Sequence, residues 1–264
     1  MITSSSSTGK FSGYLFCSDF DGTLTCDGKT VSRENLDAIN YFVSEGGRFT
    51  MASGRFPDFF TVNENFGINA PVIALGGSVI ADVSDGVRIV SERNVDPGII
   101  RRLAECFDSI PGAQRLIIHS NSESVTFAPG DPDNSEKLEL VLSRPVCKFI
   151  IVENPKIEPS LREFMEREFP KLTLEMSWCS GLEGLAPGVC KGSAVKILRD
   201  LIGDINTVVA VGDYENDISM IKYADFGYAT ANAADFVKAV ADRITVTNRE
   251  HAIAAIINEL DGGI

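Results

Sequence analysis

Histidines and long apolar runs are both scarce in this sequence of 264 residues. Its two histidines, His119 and His251, have no serine or cysteine arrangement around them that would indicate nucleophilic catalysis. We therefore expect each histidine to be structural or exposed. No apolar stretch reaches the roughly 18 residues that a membrane-spanning helix needs, so we expect a chain that does not cross a membrane.

Basic residues are outnumbered, and paired cysteines are absent. The chain has 24 Lys and Arg against 37 Asp and Glu, which gives a formal net charge of −13. Nucleic acids and anionic lipid surfaces bind clustered Lys and Arg, so we expect neither as a partner. The six cysteines show no CxxC pair and no zinc-ligand spacing, which indicates reduced, mostly buried thiols.

The serine-rich start of the chain lacks the apolar core of a secretory signal. We interpret Met1 to Lys10 as a disordered tail and expect a cytoplasmic location. Apolar residues make up 44% of the chain and charged residues 23%, as in ordinary globular proteins. The length exceeds that of one domain of about 100 to 150 residues and suits two domains.

The stretch Tyr14 to Thr25, which reads YLFCSDFDGTLT, carries the strongest signal. An apolar run typical of a buried strand changes abruptly into Asp19, Phe20, Asp21 and Gly22. Because side chains alternate along a strand, the two carboxylates point the same way and Phe20 points back to the core. Two carboxylates this close repel each other unless a cation or a shared proton separates them. The pair therefore indicates a metal ion or divided acid and base roles.

Other apolar runs also end in polar residues. Phe49 to Ala52 is followed by Ser53, Val72 to Leu75 makes a third strand, and Thr207 to Val211 is followed by an acidic loop at residues 212–217. Helical patterns alternate with these strands. The alternation predicts an α/β fold with a doubly wound parallel sheet, whose ligands bind beyond the carboxyl ends of the strands.

The middle of the chain has its own strands and helices. From residue 84 to 186 we predict a mixed α/β unit that begins with a strand-like run at Arg88 to Val90. We therefore predict one discontinuous core domain, residues 1–83 and 187–264, into which the middle segment is inserted as a second domain. We expect Trp178 in the packing of the insert's core or at its hinge.

Four carboxylates are predicted at one edge of the parallel sheet. Asp213 and Asp217 follow an apolar strand in the same way as Asp19 and Asp21. A parallel sheet can bring the ends of such strands together, and four converging acids are strongly destabilised without a hard cation. Ligands that are all oxygen atoms suit Mg²⁺.

These motifs resemble those of a known family. The sequence DFDGT at residues 19–23 resembles the first motif of the haloacid dehalogenase-like superfamily, and residues 212–217 match its GDxxND motif. The motif order is similar to that of Cof-type sugar-phosphate phosphatases, which insert an α/β cap between their second and third motifs. The resemblance implies a Rossmann-like core that carries a cap, and a cap that determines substrate specificity.

The resemblance also implies a role for each matching acid. Asp19 would be the nucleophile, and Asp21 would be the general acid and base. Asp213 would coordinate Mg²⁺ together with Asp19 and the Asp21 carbonyl, while Asp217 would support the metal.

Further matches implied by the resemblance concern the phosphate. Ser53 lies in a Ser-Gly-Arg second motif and would hydrogen-bond the transferring phosphoryl group. Lys191 lies in a Lys-Gly third motif and would neutralise the nucleophile and the phosphate. The other positions assigned to phosphate binding are Gly22, Gly54, Arg55 and Asn216. Arg55 has two open roles, because it could pair with a carboxylate or face the phosphate.

One position departs from the family pattern. Cof-type proteins commonly end the third strand with Asn-Gly, whereas this sequence has Gly76 followed by Gly77. By this resemblance a side-chain contact near the substrate is missing, which weakens the inference of the substrate by analogy.

The predicted function is a Mg²⁺-dependent phosphatase that hydrolyses small phosphomonoesters through an aspartyl-phosphate intermediate, with sugar phosphates as the favoured substrates. A phosphomutase that reuses the phosphoaspartate and a catalytically silent metal-dependent binding protein are the alternatives. The predicted partner is a small phosphorylated metabolite, and we expect a monomer or a weak homodimer.

Overall fold

The structure is a computed structural model, and it describes residues 9–61 and 66–263. Its strands, in chain order, are β1 (Tyr14–Ser18), β2 (Arg48–Met51), β3 (Val72–Ala74), β4 (Val79–Asp82), β5 (Arg88–Glu92), β6 (Arg115–His119), β7 (Ser124–Phe127), β8 (Lys148–Val152), β9 (Thr173–Trp178), β10 (Gly181–Leu185), β11 (Thr207–Gly212), β12 (Phe226–Ala229) and β13 (Arg243–Ile244). Its α-helices are α1 (Arg33–Ser44), α2 (Pro97–Cys106), α3 (Asn134–Leu142), α4 (Pro159–Glu168), α5 (Lys191–Ile202), α6 (Ile218–Tyr223), α7 (Asp235–Lys238) and α8 (Ala252–Gly262).

A five-stranded parallel sheet forms the centre of the core, as predicted. Its strand order is β13-β12-β11-β1-β2. Alternate residues of β1 face opposite sides, since Phe16 joins the apolar cluster that includes α1 and α8 residues, while Leu15 and Cys17 join the cluster that includes α5 and α6 residues. Helices therefore cover both faces of the sheet, which confirms the doubly wound arrangement.

Local sequence signals set the starts of several helices. The Ser32 hydroxyl accepts a hydrogen bond from the Asn35 amide and caps α1. The Asp96 carboxylate accepts one from the Gly98 amide at the start of α2, where Pro97 occupies the first turn. Both caps satisfy backbone donors that have no partner inside the helix.

A three-stranded antiparallel sheet, β3-β4-β5, lies beside the parallel sheet. We predicted β3 as a further parallel strand, and it does meet the parallel sheet in a parallel bridge between Ala52 and Ile73. Its other edge pairs antiparallel with β4, which the sequence did not indicate. No strand was predicted at β4. The chain reverses there because Gly76 and Gly77 have φ angles of 71° and 105°, which glycine adopts without steric cost.

The pairing of β5 with β4 crosses the expected domain boundary. The predicted limit between residues 83 and 84 falls inside this antiparallel sheet, because Arg88–Glu92 pairs with Val79–Asp82. The predicted strand at Arg88 is present as β5, but its partner, β4, lies before the predicted boundary. We propose that the insert begins after Glu92.

The insert, which we call the cap, is built on an antiparallel sheet of order β7-β6-β8-β10-β9. One face of this sheet packs against the cap helices in an apolar cluster that includes Leu116, Phe149 and Leu182. Residues that alternate with these along the strands, His119 and Lys148 among them, line a cavity between the cap and the core. The uncovered face of the cap sheet is thus turned towards the core.

Three remaining predictions concern the whole chain. Within residues 9–61 and 66–263, no helix is long and apolar enough to span a membrane. All six cysteines are free thiols, as predicted, but only Cys17 and Cys147 are buried. The predicted disordered tail falls on residues outside the described part of the chain, apart from Gly9 and Lys10.

Candidate active site

The carboxyl ends of β1, β2 and β11 meet beneath the cap and border a cavity of about 300 Å³. This is the edge of the sheet where doubly wound folds bind ligands. Two predicted site residues lie just behind the lining, since Lys191 is bonded to Asp19 and Gly22 lies against Asp213. The other predicted site residues all line the cavity: Asp19, Asp21, Ser53, Gly54, Arg55, Asp213, Asn216 and Asp217.

Lys191 lies between two carboxylates at the floor of the cavity. Its Nζ atom donates to Asp19 Oδ1 at 2.7 Å and to Asp217 Oδ1 at 2.6 Å, and its side chain is fully buried. Burial alone would lower the pKa of Lys191, but the two carboxylates outweigh it and the pKa is raised. The lysine is therefore a fixed cation beside Asp19.

Gly22 allows the loop after β1 to approach the loop after β11. Its φ is 82°, and a Cβ atom at this position would lie 2.5 Å from Asp213 Oδ2. Thr23 then donates its hydroxyl to Asp213 Oδ1 at 3.0 Å. A larger residue at position 22 would be strained and would also displace the Asp213 carboxylate.

Three buried or partly buried carboxylates form a cluster that can hold a cation. Asp19, Asp213 and Asp217 each offer an oxygen atom, and these atoms lie within 4.8 Å of one another. Burial and the Asp217 carboxylate raise the pKa of Asp213 to about 7, and they also raise the pKa of Asp19 well above its usual value. A divalent cation would stabilise the ionised forms that burial disfavours, and the all-oxygen donor set fits Mg²⁺.

Asp217 is already engaged by protein donors. Its Oδ2 atom accepts hydrogen bonds from the backbone amides of Asp213 at 2.9 Å and Tyr214 at 3.1 Å, while Oδ1 faces Lys191. These bonds fix the turn after β11. They leave Asp19 and Asp213 as the carboxylates with more freedom to bind a cation.

Asp21 and Arg55 form a two-point ion pair on the open side of the cavity. Arg55 Nε and Nη2 donate to the two Asp21 oxygens at 2.7 Å and 2.6 Å. The guanidinium carbon also lies 4.1 Å from the centre of the Phe59 ring. Of the two roles left open for Arg55, the structure therefore contains the pairing with a carboxylate, and a contact with phosphate stays a prediction.

Ser53 and Asn216 complete the core side of the cavity. Both are buried, and both line the cavity. The Ser53 Oγ atom accepts a hydrogen bond from the Arg55 amide at 3.2 Å. Its hydroxyl proton can then be donated to another group, which suits a contact with a phosphoryl oxygen.

The cap contributes cavity residues that sequence reasoning missed. His119 was expected to be structural or exposed, and Trp178 was expected in core or hinge packing, yet both line the cavity. Lys148, Ser177 and Glu183 join them. A mixed α/β unit was predicted here, but the antiparallel register that brings these residues together is set by tertiary pairing. No local motif in the sequence marks these residues.

An ion pair joins the cap to the core beside the cavity. Arg162 of α4 donates from Nη1 to Glu215 Oε2 at 3.0 Å and from Nη2 to Glu215 Oε1 at 2.7 Å. Glu215 belongs to the 3₁₀ turn Glu215–Asp217, which also carries Asn216. The cap is thus tied to the loop that supplies three predicted site residues, Asp213, Asn216 and Asp217.

Known proteins resemble this chain along most of its length. A sequence profile of the haloacid dehalogenase-like hydrolases matches residues 16–257. The 5-amino-6-(5-phospho-D-ribitylamino)uracil phosphatase YitU of Bacillus subtilis is 23% identical over 93% of this chain and 97% of its own. The phosphatase YcsE of the same organism, which has the same named activity, is 27% identical over 92% of this chain and 94% of its own. The crystal structure of a haloacid dehalogenase-like hydrolase from Bacteroides thetaiotaomicron superposes with a TM-score of 0.71 at 26% identity and covers 93% of this chain and 98% of the other.

Proposed function

Because the chain belongs to the haloacid dehalogenase-like hydrolases and is a phosphatase of their Cof type, we propose that it hydrolyses small phosphomonoesters in a Mg²⁺-dependent reaction through an aspartyl phosphate on Asp19. The observation that carries this proposal is the position of Asp19, which faces a cavity while Lys191 fixes one of its oxygens. A buried carboxylate held in this way is oriented for attack and has a cation beside it.

The proposed reaction has two chemical steps. In the first, which requires Asp21 in its protonated form, an Asp19 oxygen forms a bond to phosphorus, the bond from phosphorus to the alcohol oxygen breaks, and Asp21 gives its proton to that oxygen. In the second, the Asp21 carboxylate takes a proton from water, the water oxygen binds phosphorus, and the bond to Asp19 breaks. The products are the free alcohol and inorganic phosphate, and both acids return to their starting states.

The surrounding residues would stabilise the charge that develops on the phosphoryl oxygens. Lys191 is 2.7 Å from Asp19 and neutralises part of the negative charge that phosphate brings to the acidic cluster. Ser53 would donate its hydroxyl, and Asn216 would face the same group from the loop after β11. Asp19, Asp213 and the Asp21 carbonyl would hold Mg²⁺, with Asp217 in support, and the ion would supply electrostatic stabilisation of the transferring group.

The proposed substrates are phosphorylated sugars or polyols. The two relatives from Bacillus subtilis are named for a substrate in which phosphate is attached to a ribityl chain. The cavity of about 300 Å³ is at the small end of the range for ligand pockets. A small hydroxylated ester fits this volume better than a phosphorylated protein or a dinucleotide does. A cytoplasmic location and a monomeric or weakly dimeric state stay predictions.

The proposal is tested by measuring phosphate release from an aryl phosphate and from a panel of sugar and polyol phosphates. We expect turnover with Mg²⁺ and none in excess chelator. The Asp213→Asn variant should need more Mg²⁺ for half-maximal rate, whereas Asp37→Asn, on the exposed side of α1, should behave as the wild type. Full turnover in chelator would contradict the metal requirement, and transfer of phosphate between positions of a sugar without release would indicate a mutase.

A further inference from the structure

The uncovered face of the cap sheet carries a buried ion pair that the proposed mechanism does not use. Lys148 Nζ lies 2.9 Å from Glu183 Oε2, and both side chains are 2% exposed. The other carboxylate oxygen, Oε1, accepts a hydrogen bond from the Ser177 hydroxyl at 2.6 Å. Burial would raise the pKa of Glu183, but Lys148 and Ser177 outweigh it and the pKa is lowered. The pair is charged and rigidly held.

Two core glycines make room for this pair. A Cβ atom on Gly54 would lie 3.3 Å from Lys148 Nζ and 3.6 Å from Glu183 Oε1. A Cβ atom on Gly76 would lie 3.4 Å from Glu183 Oε2. Gly76 is the position where the family pattern commonly has Asn. In this chain the Glu183 carboxylate of the cap lies against Gly76.

His119 lies beside the ion pair with its hydrogen-bonding capacity unused. The strand register places it opposite Lys148, and its ring packs on Phe56 with centroids 5.2 Å apart. Both ring nitrogens are buried, and neither has a hydrogen-bond partner among the described residues. Burial, and then Lys148, lower the pKa of His119 to about 4. The neutral ring offers one donor and one acceptor, which is the pattern that a hydroxyl group complements.

Each cation that lines the cavity among the described residues is already paired with a carboxylate. Within the described residues, the cations that line it are Arg55 and Lys148, and each is paired with a carboxylate, Asp21 and Glu183 respectively. Lys191 beneath them is shared by two acids. No lining cation is therefore left to compensate a second negative charge on the substrate beyond its phosphate.

We propose that Lys148, Glu183 and His119 form the site that recognises the leaving alcohol, and that they select an alcohol which is uncharged and carries hydroxyl groups. Glu183 accepts from a substrate hydroxyl, Lys148 donates to one, and His119 does either. The inference rests on the proposed phosphatase function and assigns to named cap residues the choice among its substrates.

The test compares two esters of similar size, glycerol phosphate and phosphoglycerate, which differ by a carboxylate in place of a hydroxymethyl group. We expect the wild type to prefer glycerol phosphate. Glu183→Gln keeps the shape of the side chain and an acceptor for Lys148 but leaves the lysine charge unbalanced. The ratio of kcat/KM for phosphoglycerate to that for glycerol phosphate should therefore rise by about tenfold, which corresponds to about 1.4 kcal/mol. A variant that only lost packing would not raise this ratio.

A second variant keeps the inference testable if Glu183→Gln folds poorly. His119→Phe preserves the ring packing on Phe56 and removes both nitrogens. It should lower kcat/KM for glycerol phosphate by about 10-fold, since a hydrogen bond to a substrate hydroxyl is lost. Activity on an aryl phosphate, whose leaving group has no such hydroxyl, should fall less than activity on glycerol phosphate, so the ratio of the two kcat/KM values should change.

The matched control is Glu168→Gln on α4, which changes a partly exposed cap carboxylate that pairs with Arg102 and Arg167. We expect it to leave both the ratio and the aryl phosphate rate unchanged. If the wild type releases phosphate but Glu183→Gln and His119→Phe keep its ranking of substrates, this inference is wrong and the proposed function stands. If the wild type releases phosphate from none of the esters, the proposed function is wrong and the inference with it.

Discussion

The Nζ atom of Lys191 lies 2.7 Å from the Oδ1 atom of Asp19, although α5 and β1 are far apart in the sequence. The lysine is fully buried, and its second partner, Asp217, is buried as well. A buried cation between two buried acids is strongly coupled to both the stability and the chemistry of the site.

Replacing Lys191 should therefore affect folding and turnover together. Lys191→Met leaves Asp19 and Asp217 without their common cation, and breaking a buried pair in this way costs about 3–5 kcal/mol. We expect kcat for an aryl phosphate to fall by about 100- to 1,000-fold in the folded fraction, because one fixed positive charge is lost from the transition state. Lys196→Met, at an exposed position of the same helix, is the control. Wild-type turnover in folded Lys191→Met would exclude the proposed role.

The pKa of Asp213 predicts how the stability of the protein in chelator depends on pH. Its folded value of about 7 lies above the ordinary value of 3.8, because burial and Asp217 disfavour the charge. Between these two values the folded protein keeps a proton that the unfolded chain has lost. The contribution of Asp213 to stability is thus fully present below the unfolded pKa and is lost as the pH rises through the folded pKa.

Chemical denaturation of the wild type and of Asp213→Asn, both in chelator, measures this contribution. As the pH rises from 4 to 7, the variant should gain stability relative to the wild type, by about 1.4 kcal/mol for each unit between the two pKa values. Added Mg²⁺ should reduce the difference. A difference that does not change with pH would show that Asp213 titrates normally.

The ion pair between Arg162 and Glu215 should hold the cap against the core. Glu215→Gln removes the charge from a two-point contact, so we expect a more open cap and a rise of about threefold to tenfold in KM. In a double-mutant cycle with Arg162→Met, the coupling energy should be about 1 kcal/mol. Acrylamide quenching of Trp178, the sole tryptophan, reports the opening, since this residue lies at the cavity.

Glu166→Gln is the matched control for the cap contact. Glu166 pairs with the same arginine from one turn further along α4, and its side chain is exposed. An exposed pair within one helix contributes little, so this variant should leave KM and quenching unchanged. Equal quenching in Glu215→Gln, Glu166→Gln and the wild type would mean that the ion pair does not control the cap.

The core site was predictable because its residues follow apolar strands in a fixed pattern. Asp19 and Asp213 each come directly after a strand, and a parallel sheet aligns strand ends, so local sequence alone indicated that they meet. The lysine at the start of α5 needed the family resemblance as well, because nothing in its neighbourhood distinguishes it from a solvated lysine such as Lys196.

The cap side of the cavity was not predictable for a physical reason. His119, Lys148 and Glu183 lie on three strands whose antiparallel register is decided by tertiary pairing, and a shift of one residue would turn each side chain to the other face. The strand β4 was not predictable either, because its short apolar run is not distinctive. The reversal at Gly76 and Gly77 sets its direction.

The central claim is that Asp19 carries the phosphoryl group, and rapid acid quenching with a labelled aryl phosphate tests it most directly. An aryl leaving group needs little protonation, so Asp21→Asn should still be phosphorylated while its hydrolysis step, which needs a base, is slowed. We predict that Asp21→Asn accumulates more protein-bound phosphate than the wild type, that hydroxylamine releases it, and that it maps to Asp19, while Asp19→Asn carries none. Turnover by the wild type with no trapped phosphate in either the wild type or Asp21→Asn would contradict the covalent mechanism. Asp19 and Asp21 would then serve only as metal ligands.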